Sequence, residues 1–273
     1  MDCIICNSKM NAKSDWAYQC SNCNFWRSTL EPGAGRGIEG LEELRRSNFK
    51  ILSDKFEELT SLSGKSCLEV GCAEGWFLDE AKARGAECIG IEPSEVSKLS
   101  QAAGHDVKVG FFPDILDQGR QFDIIIFNDV FEHLPDPVDA IKQCENYLNE
   151  DGYLILNLPN SGGLFFKISA TLAKFGASSI FNRLWQKGFP SPHLTYFNER
   201  NLDAFIAKYT KLQKCKNFPL PALHTQGLKE RIKTSHQGLK GQILYLGIRM
   251  GLPIIQACPS DIIVSIFQKH SGK

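Results

Sequence analysis

The sequence has 273 residues, of which 42% are hydrophobic and 23% charged. This fits one catalytic-sized domain with a small addition and excludes a disordered chain. No run reaches the roughly 18 to 20 apolar residues that cross a bilayer, and the opening MDCIICNSKM lacks a charged-then-apolar leader, so a cytoplasmic protein is expected. The formal net charge is zero, yet residues 160–250 carry fourteen Lys or Arg against three acids, Glu199, Asp203 and Glu230. Such a basic half points either to an anionic partner or to a solvated charged face.

Residues 1–30 form a Cys-rich head. Cys3-x2-Cys6 and Cys20-x2-Cys23 stand thirteen residues apart, the spacing of two knuckles that supply four thiolates to a closed, structural zinc site. Asn7 and Asn24 follow the second cysteine of each pair, where a left-handed backbone is needed and asparagine tolerates it. Trp16, Tyr18, Phe25 and Trp26 supply a small apolar packing set. Residues 31–63 are expected to be a hinge (the glycine-rich Glu31–Gly37) followed by a helix over 39–62, with Leu41, Leu44, Phe49, Leu52, Phe56 and Leu59 near one face. Cys67, Cys88, Cys144, Cys215 and Cys258 lie in or beside apolar runs and are expected to be small core residues.

From residue 64 to 273 strands alternate with helices. The pattern predicts strands at 66–70, 87–92, 106–109, 122–127 and 153–158, with helices near 75–84, 94–103 and 136–149. Two late strands follow, at 211–217 and 261–267. This is an α/β chain with a seven-stranded, mostly parallel sheet and helices on both faces. Segments 161–203 and 219–258 read as helical insertions beside the site. Ligands on such sheets bind at the carboxyl ends of the strands.

The first strand runs into Glu69-Val-Gly71-Cys72-Ala73-Glu-Gly75-Trp76, a strand, a glycine turn and a helix start, which brings bare backbone close to a ligand. A dinucleotide fingerprint would put glycine at 73 and 76, where Ala73 and Trp76 stand. A phosphate loop would need Gly-Lys-Ser/Thr, which is missing, so the ligand is expected to lack a pyrophosphate.

Glu69-x-Gly71-x-Ala73-x-Gly75 resembles motif I of the class I S-adenosylmethionine (SAM)-dependent methyltransferases, with Ala73 in place of the middle glycine. The run Asn128-Asp129-Val130-Phe131-Glu132-His133-Leu134-Pro135-Asp136-Pro137 resembles the D-V-L-E-H-L-x-D-P segment of their methyltransferase-23-like branch. The likeness covers roughly residues 64–160, with weaker traces at 190–205 and at the end. It implies a Rossmann-like fold. It also implies that Glu69 and the backbone of Gly71, Cys72, Ala73 and Gly75 hold the methionine part of SAM, and that Glu92, seventeen residues after Gly75, accepts the ribose diol. Phe111, or Phe112, would lie against the adenine, with Asn128 and Val130 at the end of the fourth strand. A plainer role for Glu92 is a charge before the next helix.

Methyl transfer from a sulfonium needs alignment and, for a hydroxyl acceptor, a base. His133 and His193 are the candidates, with Tyr196 beside His193. The P-H-L-x-Y-F segment holding His193 resembles a loop that folds over the acceptor pocket in related sequences, although His193 equally fits a loop-fixing residue. Asp129, Glu132 and His133 are similar to the acid–acid–His set that ubiquinone-biosynthesis O-methyltransferases use for a divalent metal. Relatives with an N-terminal ribbon often modify surface glycans or sugar nucleotides, so the expected acceptor is a small molecule or glycan hydroxyl. The basic apolar segment 227–258 reads either as a core helix or as a contact with the inner membrane face. RNA methylation is one alternative, argued against by the lack of an N-P-P-Y/F tetrad. A non-catalytic SAM-binding regulator is another, argued against by the intact Glu69, Gly71, Gly75 and Glu92 set.

Overall fold

The computed structural model describes residues 1–35, 40–223 and 238–270. Residues 36–37 of the expected hinge and 227–237 of the basic apolar segment lie outside the described residues.

The main sheet has seven strands: β4 (Ser66–Val70), β5 (Glu87–Ile91), β6 (Val107–Lys108), β7 (Phe122–Asn128), β8 (Leu148–Pro159), β10 (Gln213–Leu220) and β11 (Ile262–Gln268). Their order is β10-β11-β8-β7-β4-β5-β6. The pairs β8-β7, β7-β4, β4-β5 and β5-β6 are parallel, whereas β11 is antiparallel to both β8 and β10. The sheet is Rossmann-like, as the alternation predicts. β7 is apolar almost throughout because both of its faces are covered. Ile124 and Ile126 pack on one side with Phe49, Leu52 and Phe56 of α1 (Glu42–Glu57) and Phe77, Leu78 and Ala81 of α2 (Trp76–Ala83). Ile125 and Phe127 pack on the other side with Ile141 and Cys144 of α4 (Pro137–Tyr147) and Leu202, Phe205 and Ile206 of α7 (Glu199–Tyr209).

Local chemistry sets the helix starts. Asp136 accepts the Val138 and Asp139 amides, with Pro137 in the first turn of α4; Asn198 and Asn201 form a reciprocal capping box on α7. α1 is shorter than expected, so Leu59 lies beyond it and is exposed. Among the cysteines expected in the core, Cys67, Cys88 and Cys144 are buried. Cys215 is exposed and Cys258 only half-buried, because they sit on the edge strand β10 and just after the last helix.

The insertion after β8 holds α5 (Leu164–Lys174), α6 (Ser179–Leu184), β9 (Thr195–Tyr196) and α7, with α3 (Ser97–Ala102) placed earlier between β5 and β6. α8 (Leu239–Ala257) follows β10 and exposes Leu246 and Met250. The same helix buries Leu252, so among its described residues it has both a core-facing and an exposed apolar side. No described helix is long and apolar enough to cross a membrane.

The Cys-rich head is built on β1 (Met10–Ala12), β2 (Ala17–Cys20) and β3 (Trp26–Ser28). Its sheet is completed by β9, with Trp26 opposite Tyr196 and Arg27 opposite Thr195. The head is thus sewn to the insertion by main-chain hydrogen bonds.

Candidate active site

At the head, the Sγ atoms of Cys3 and Cys23 lie 3.5 Å apart and those of Cys6 and Cys20 3.4 Å apart, and all four fall within 4.8 Å of one another. A tetrahedral zinc with Zn–S near 2.3 Å needs S–S edges of roughly 3.8 Å. Asn7 and Asn24 have φ of 60° and 59°, the left-handed knuckle their positions predict. The donor set and its geometry fit a structural zinc. The knuckles are tied to α7: Asn201 Nδ2 donates to Cys23 O, and both Lys208 Nζ and Tyr209 OH donate to Ile4 O.

The crevice at the carboxyl ends of β4, β5 and β7 lies where the sheet order turns back on itself, the usual ligand position on such sheets. The turn after β4 is left-handed at Gly71 (φ 73°), Ala73 (φ 44°) and Gly75 (φ 83°). A Cβ on Gly71 would stand 2.4 Å from Val130 Cγ2, and one on Gly75 2.3 Å from Ser100 Oγ. Both glycines are therefore required by packing as well as by φ. Cys72 turns its side chain into the core, where a Cβ on Gly90 would meet its Sγ at 2.5 Å, so it offers the crevice only main chain.

Glu92, at the end of β5, is buried. Its Oε2 accepts the Ala73 amide (3.1 Å) and its Oε1 the Ser94 amide (2.9 Å). Each carboxylate oxygen keeps a further acceptor position. Glu69 Oε1 accepts Asn128 Nδ2 (2.9 Å), and Asn128 Oδ1 accepts Asn157 Nδ2 (3.2 Å). Glu69 Oε2 is buried without a partner; burial first, with a smaller contribution from the Glu92 charge, raises its carboxyl well above the ordinary range. An orphan acceptor beside a bare glycine turn is what an ammonium-bearing ligand would satisfy. Phe112 packs edge-on to Phe127 and Tyr147 in the core, whereas Phe111 is 64% exposed. Only Phe111 is thus free to meet a ligand ring.

The histidines meet. The His133 and His193 rings lie 4.7 Å apart, edge to face, although sixty residues separate them in sequence. His133 Nδ1 is 2.9 Å from Pro192 O, so Nδ1 carries the proton and Nε2 presents its lone pair. Gln186 Nε2 stands 2.8 Å from His193 Nε2 and donates to it, which occupies that lone pair. Burial lowers both imidazoles below their ordinary value, His193 further, with the His133 charge adding. Tyr196 OH donates to Leu184 O at 2.7 Å, and burial, then the nearby Glu132, raises its hydroxyl well above the ordinary value.

The acid–acid–His set divides. Asp129 (φ 54°) pairs with Arg45 of α1 at 3.3 Å. Glu132 turns inward, 3.9 Å from the Nε2 of both His133 and His193. Those three residues lie at ligand-like spacing, but the Gln186 amide donor already holds His193 Nε2, and no metal is assigned there. Sequence reasoning missed Gln186, Arg45 and Ser191, whose Oγ stands 3.2 Å from His133 Nδ1. No motif marks them, because their roles arise from packing across 7, 84 and 58 residues.

A family model described as "Methyltransferase domain" (Methyltransf_23) matches residues 42–209. The chain is 29% identical over 156 residues to a ubiquinone biosynthesis O-methyltransferase of Marinobacter nauticus, covering 50% of this chain and 63% of that protein. It is 30% identical over 132 residues to one of Pseudomonas paraeruginosa, covering 42% and 56%. The chain thus spans somewhat over half the length of these curated relatives. Its fold is similar to a SAM-dependent methyltransferase from Archaeoglobus fulgidus (TM-score 0.52, 18% identity, 84% of this chain and 97% of that one). It is similar also to magnesium protoporphyrin IX methyltransferase from Synechocystis PCC 6803, solved with bound SAM (TM-score 0.51, 11% identity, 87% and 86%). With its family match running from α1 through α7 and so spanning both histidines, the chain belongs to the Methyltransf_23 family of methyltransferase domains.

Proposed function

We propose that this chain methylates a hydroxyl of a small-molecule or glycan acceptor with SAM as donor. The observation that carries the reading is the joint set at the strand ends: the left-handed Gly71–Gly75 turn, the fixed Glu92 carboxylate and the unpartnered Glu69 Oε2. SAM supplies an activated methyl on a sulfonium. Glu69 would receive its ammonium group, the Gly71–Gly75 main chain would face the methionine part, and Glu92 would accept the ribose hydroxyls. Asn128 holds Glu69 in register, Val130 packs over Gly71, and Phe111 covers the adenine side.

His133 is the base this arrangement favours. Its Nδ1–H is held by Pro192 O, so Nε2 can take the hydroxyl proton as the acceptor oxygen bonds the methyl carbon and the carbon–sulfur bond breaks. The products are a methyl ether, S-adenosylhomocysteine and a protonated His133. His193, held by Gln186, and Tyr196, held by Leu184 O, act as the wall that orients His133. Oxygen as the methylated atom draws support from the relatives, which are named O-methyltransferases; the glycan class rests on the likeness to ribbon-bearing glycan modifiers.

The test is incubation of the purified protein with labelled SAM and cell extracts split into glycan, lipid, RNA and protein fractions. Label in the glycan or small-molecule fraction is expected. Label confined to RNA would replace this acceptor by the nucleic-acid alternative, and no SAM binding at all would end the methyltransferase reading.

A further inference from the structure

Helix α5 (Leu164–Lys174) is apolar on two sides. Phe166 and Ser169 are buried on one, and Ala170 and Ala173 pack with Phe166 against the aromatic cluster of Trp16, Trp26 and Trp185. Ile168, Leu172 and Phe175 recur at steps of four and three residues, which puts them on the other side of the helix. All three face solvent, Phe175 with 84% of its surface. Ile180 in α6 and Phe189 beyond it are exposed as well. The core accounts for the inward side. The outward stripe is an apolar surface that nothing among the described residues covers, and such a surface marks a contact site.

The charges on this side are of one sign. The 47 residues between Asp151 and Glu199 hold Lys167, Lys174, Arg183 and Lys187 and no acid. Lys174 and Lys187 line one cleft together with Lys13 of the Cys-rich head, where Asp15 is the one acid. Among the described residues none of these three lysines has a carboxylate partner. The rest of the basic half behaves otherwise: Lys214 is held by Glu199 and Asp203, and Lys216 by Glu58. Exposed rings and cations alternate along the rim, for Lys174 precedes Phe175 and Phe189 follows Lys187 by two residues.

We propose that this face docks the protein on an anionic lipid surface. Leu172, Phe175 and Phe189 would lie at the boundary between headgroups and acyl chains, with Lys13, Lys174 and Lys187 on the lipid phosphates. An apolar stripe edged by lysines suits a helix lying in that boundary, because the long lysine stems reach back to the headgroups. A second copy of the chain fits less well: a two-fold contact through this face would set the same unpartnered lysines opposite each other. The surface is separate from residues 227–258, whose sequence admits a similar contact, and it needs nothing from the methyl-transfer reading. It also sets an orientation. Gln186, which holds His193, and Pro192 O, which holds His133, flank Lys187 and Phe189 in one loop. A docked chain therefore has its acceptor-side loop against the lipid.

The test is flotation of the full chain with phosphatidylcholine vesicles, with and without phosphatidylglycerol, at low and high salt. SAM affinity and solution mass are measured on the same samples. Binding is expected to be at least tenfold tighter to vesicles that contain phosphatidylglycerol and to weaken as salt rises. Leu172→Ser, Phe175→Ser should weaken it at least tenfold, and so should Lys13→Ala, Lys174→Ala, Lys187→Ala, with SAM affinity unchanged in both because these side chains lie outside the crevice. The lysine variant should also lose most of the salt dependence. Leu246→Ser, Met250→Ser in α8 should bind as the wild type does. No binding to phosphatidylglycerol vesicles by the wild type, equal binding to both kinds of vesicle, or wild-type binding by either variant of the α5 face overturns the proposal, as does a loss confined to the α8 variant. A dimer that forms without lipid and that Leu172→Ser, Phe175→Ser splits would give the stripe to a second copy and overturn it too.

Discussion

Ser28 donates its hydroxyl to the main-chain carbonyl of His193 over 2.9 Å, and its amide donates to Leu194 O at 2.8 Å. Residue 28 of the Cys-rich head is thereby bonded on both sides to the loop that carries the acceptor-side histidine. On the proposed reading the head therefore backs the acceptor side of the site.

Loss of the head's metal should therefore reach the acceptor side and spare the cofactor side. Cys20→Ser, Cys23→Ser protein is expected to lose zinc from about one per chain to none by elemental analysis. It should unfold at lower temperature and transfer methyl groups poorly, with SAM affinity near wild type. The milder Ser28→Ala removes one hydrogen bond, about 1 kcal/mol of stability, and is expected to raise acceptor KM more than SAM Kd. A Ser28→Ala variant with wild-type kinetics would separate the head from the site.

Glu92 is the residue on which SAM affinity should turn. Glu92→Ala frees the Ala73 and Ser94 amides as well as removing the acceptors for the ribose diol, and is expected to weaken SAM binding at least tenfold by calorimetry. Glu92→Gln keeps one acceptor oxygen and should fall between. An unchanged Kd in Glu92→Ala would remove the ribose assignment.

Gly71→Ala should destabilise the chain and abolish SAM binding. The new Cβ meets Val130 Cγ2 at 2.4 Å, and the backbone stays at φ 73°, where an L-residue costs about 1–2 kcal/mol. Adding Val130→Ala relieves the clash but not the backbone cost, so thermal unfolding is expected to recover partly. Full recovery would show that φ at this position carries no strain.

The pH dependence has two opposing parts. Burial lowers His133 and His193 below their ordinary 6.5, so below pH 6.5 the unfolded chain binds protons that the folded one resists. Their contribution to stability is full above pH 6.5 and is lost as pH falls through that value. Burial raises Glu69 and Glu132 above their ordinary 4.5, the Asp129 charge adding for Glu132. These carboxyls cost stability as pH rises above 4.5 toward their folded values. His193→Gln should accordingly flatten the fall in unfolding temperature between pH 7 and pH 5, and Glu132→Gln should gain most at neutral pH. Because burial lowers the His133 imidazole below its ordinary 6.5, kcat/KM should stay level to a lower pH than a free imidazole base would allow. A steep loss beginning above pH 6.5 would point to another base.

Much of the frame is legible residue by residue. The FDIIIF run, apolar on both faces, announces a central parallel strand, and β7 occupies the middle of the sheet. The four cysteines with Asn7 and Asn24 announce their knuckles, because φ near 60° favours asparagine at those two places. Glu69, Gly71, Gly75 and Glu92 announce a crevice because one strand–helix–strand unit pairs β4 and β5 in parallel and brings both strand ends to the same edge of the sheet. The base was not legible in the same way: the sequence pointed to His193 ahead of His133, whereas the reading proposed here prefers His133 because of the Pro192 and Gln186 contacts, which exist only after the loop closes. Nor was the pairing of Asp129 with Arg45 or the hydroxyl bond from Tyr196 to Leu184.

The sequence by itself determined the elements, the sheet class, the cysteine knuckles and the glycine turn, since these depend on periodicity, backbone φ and spacing within a few residues. Tertiary structure alone decided that the Cys-rich head extends its sheet through Thr195 and Tyr196, that the two histidines touch, and that three lysines from distant segments share one cleft. Those relations join residues far apart in the chain, where closure of long loops and burial of a shared aromatic surface, rather than local propensity, select the partners.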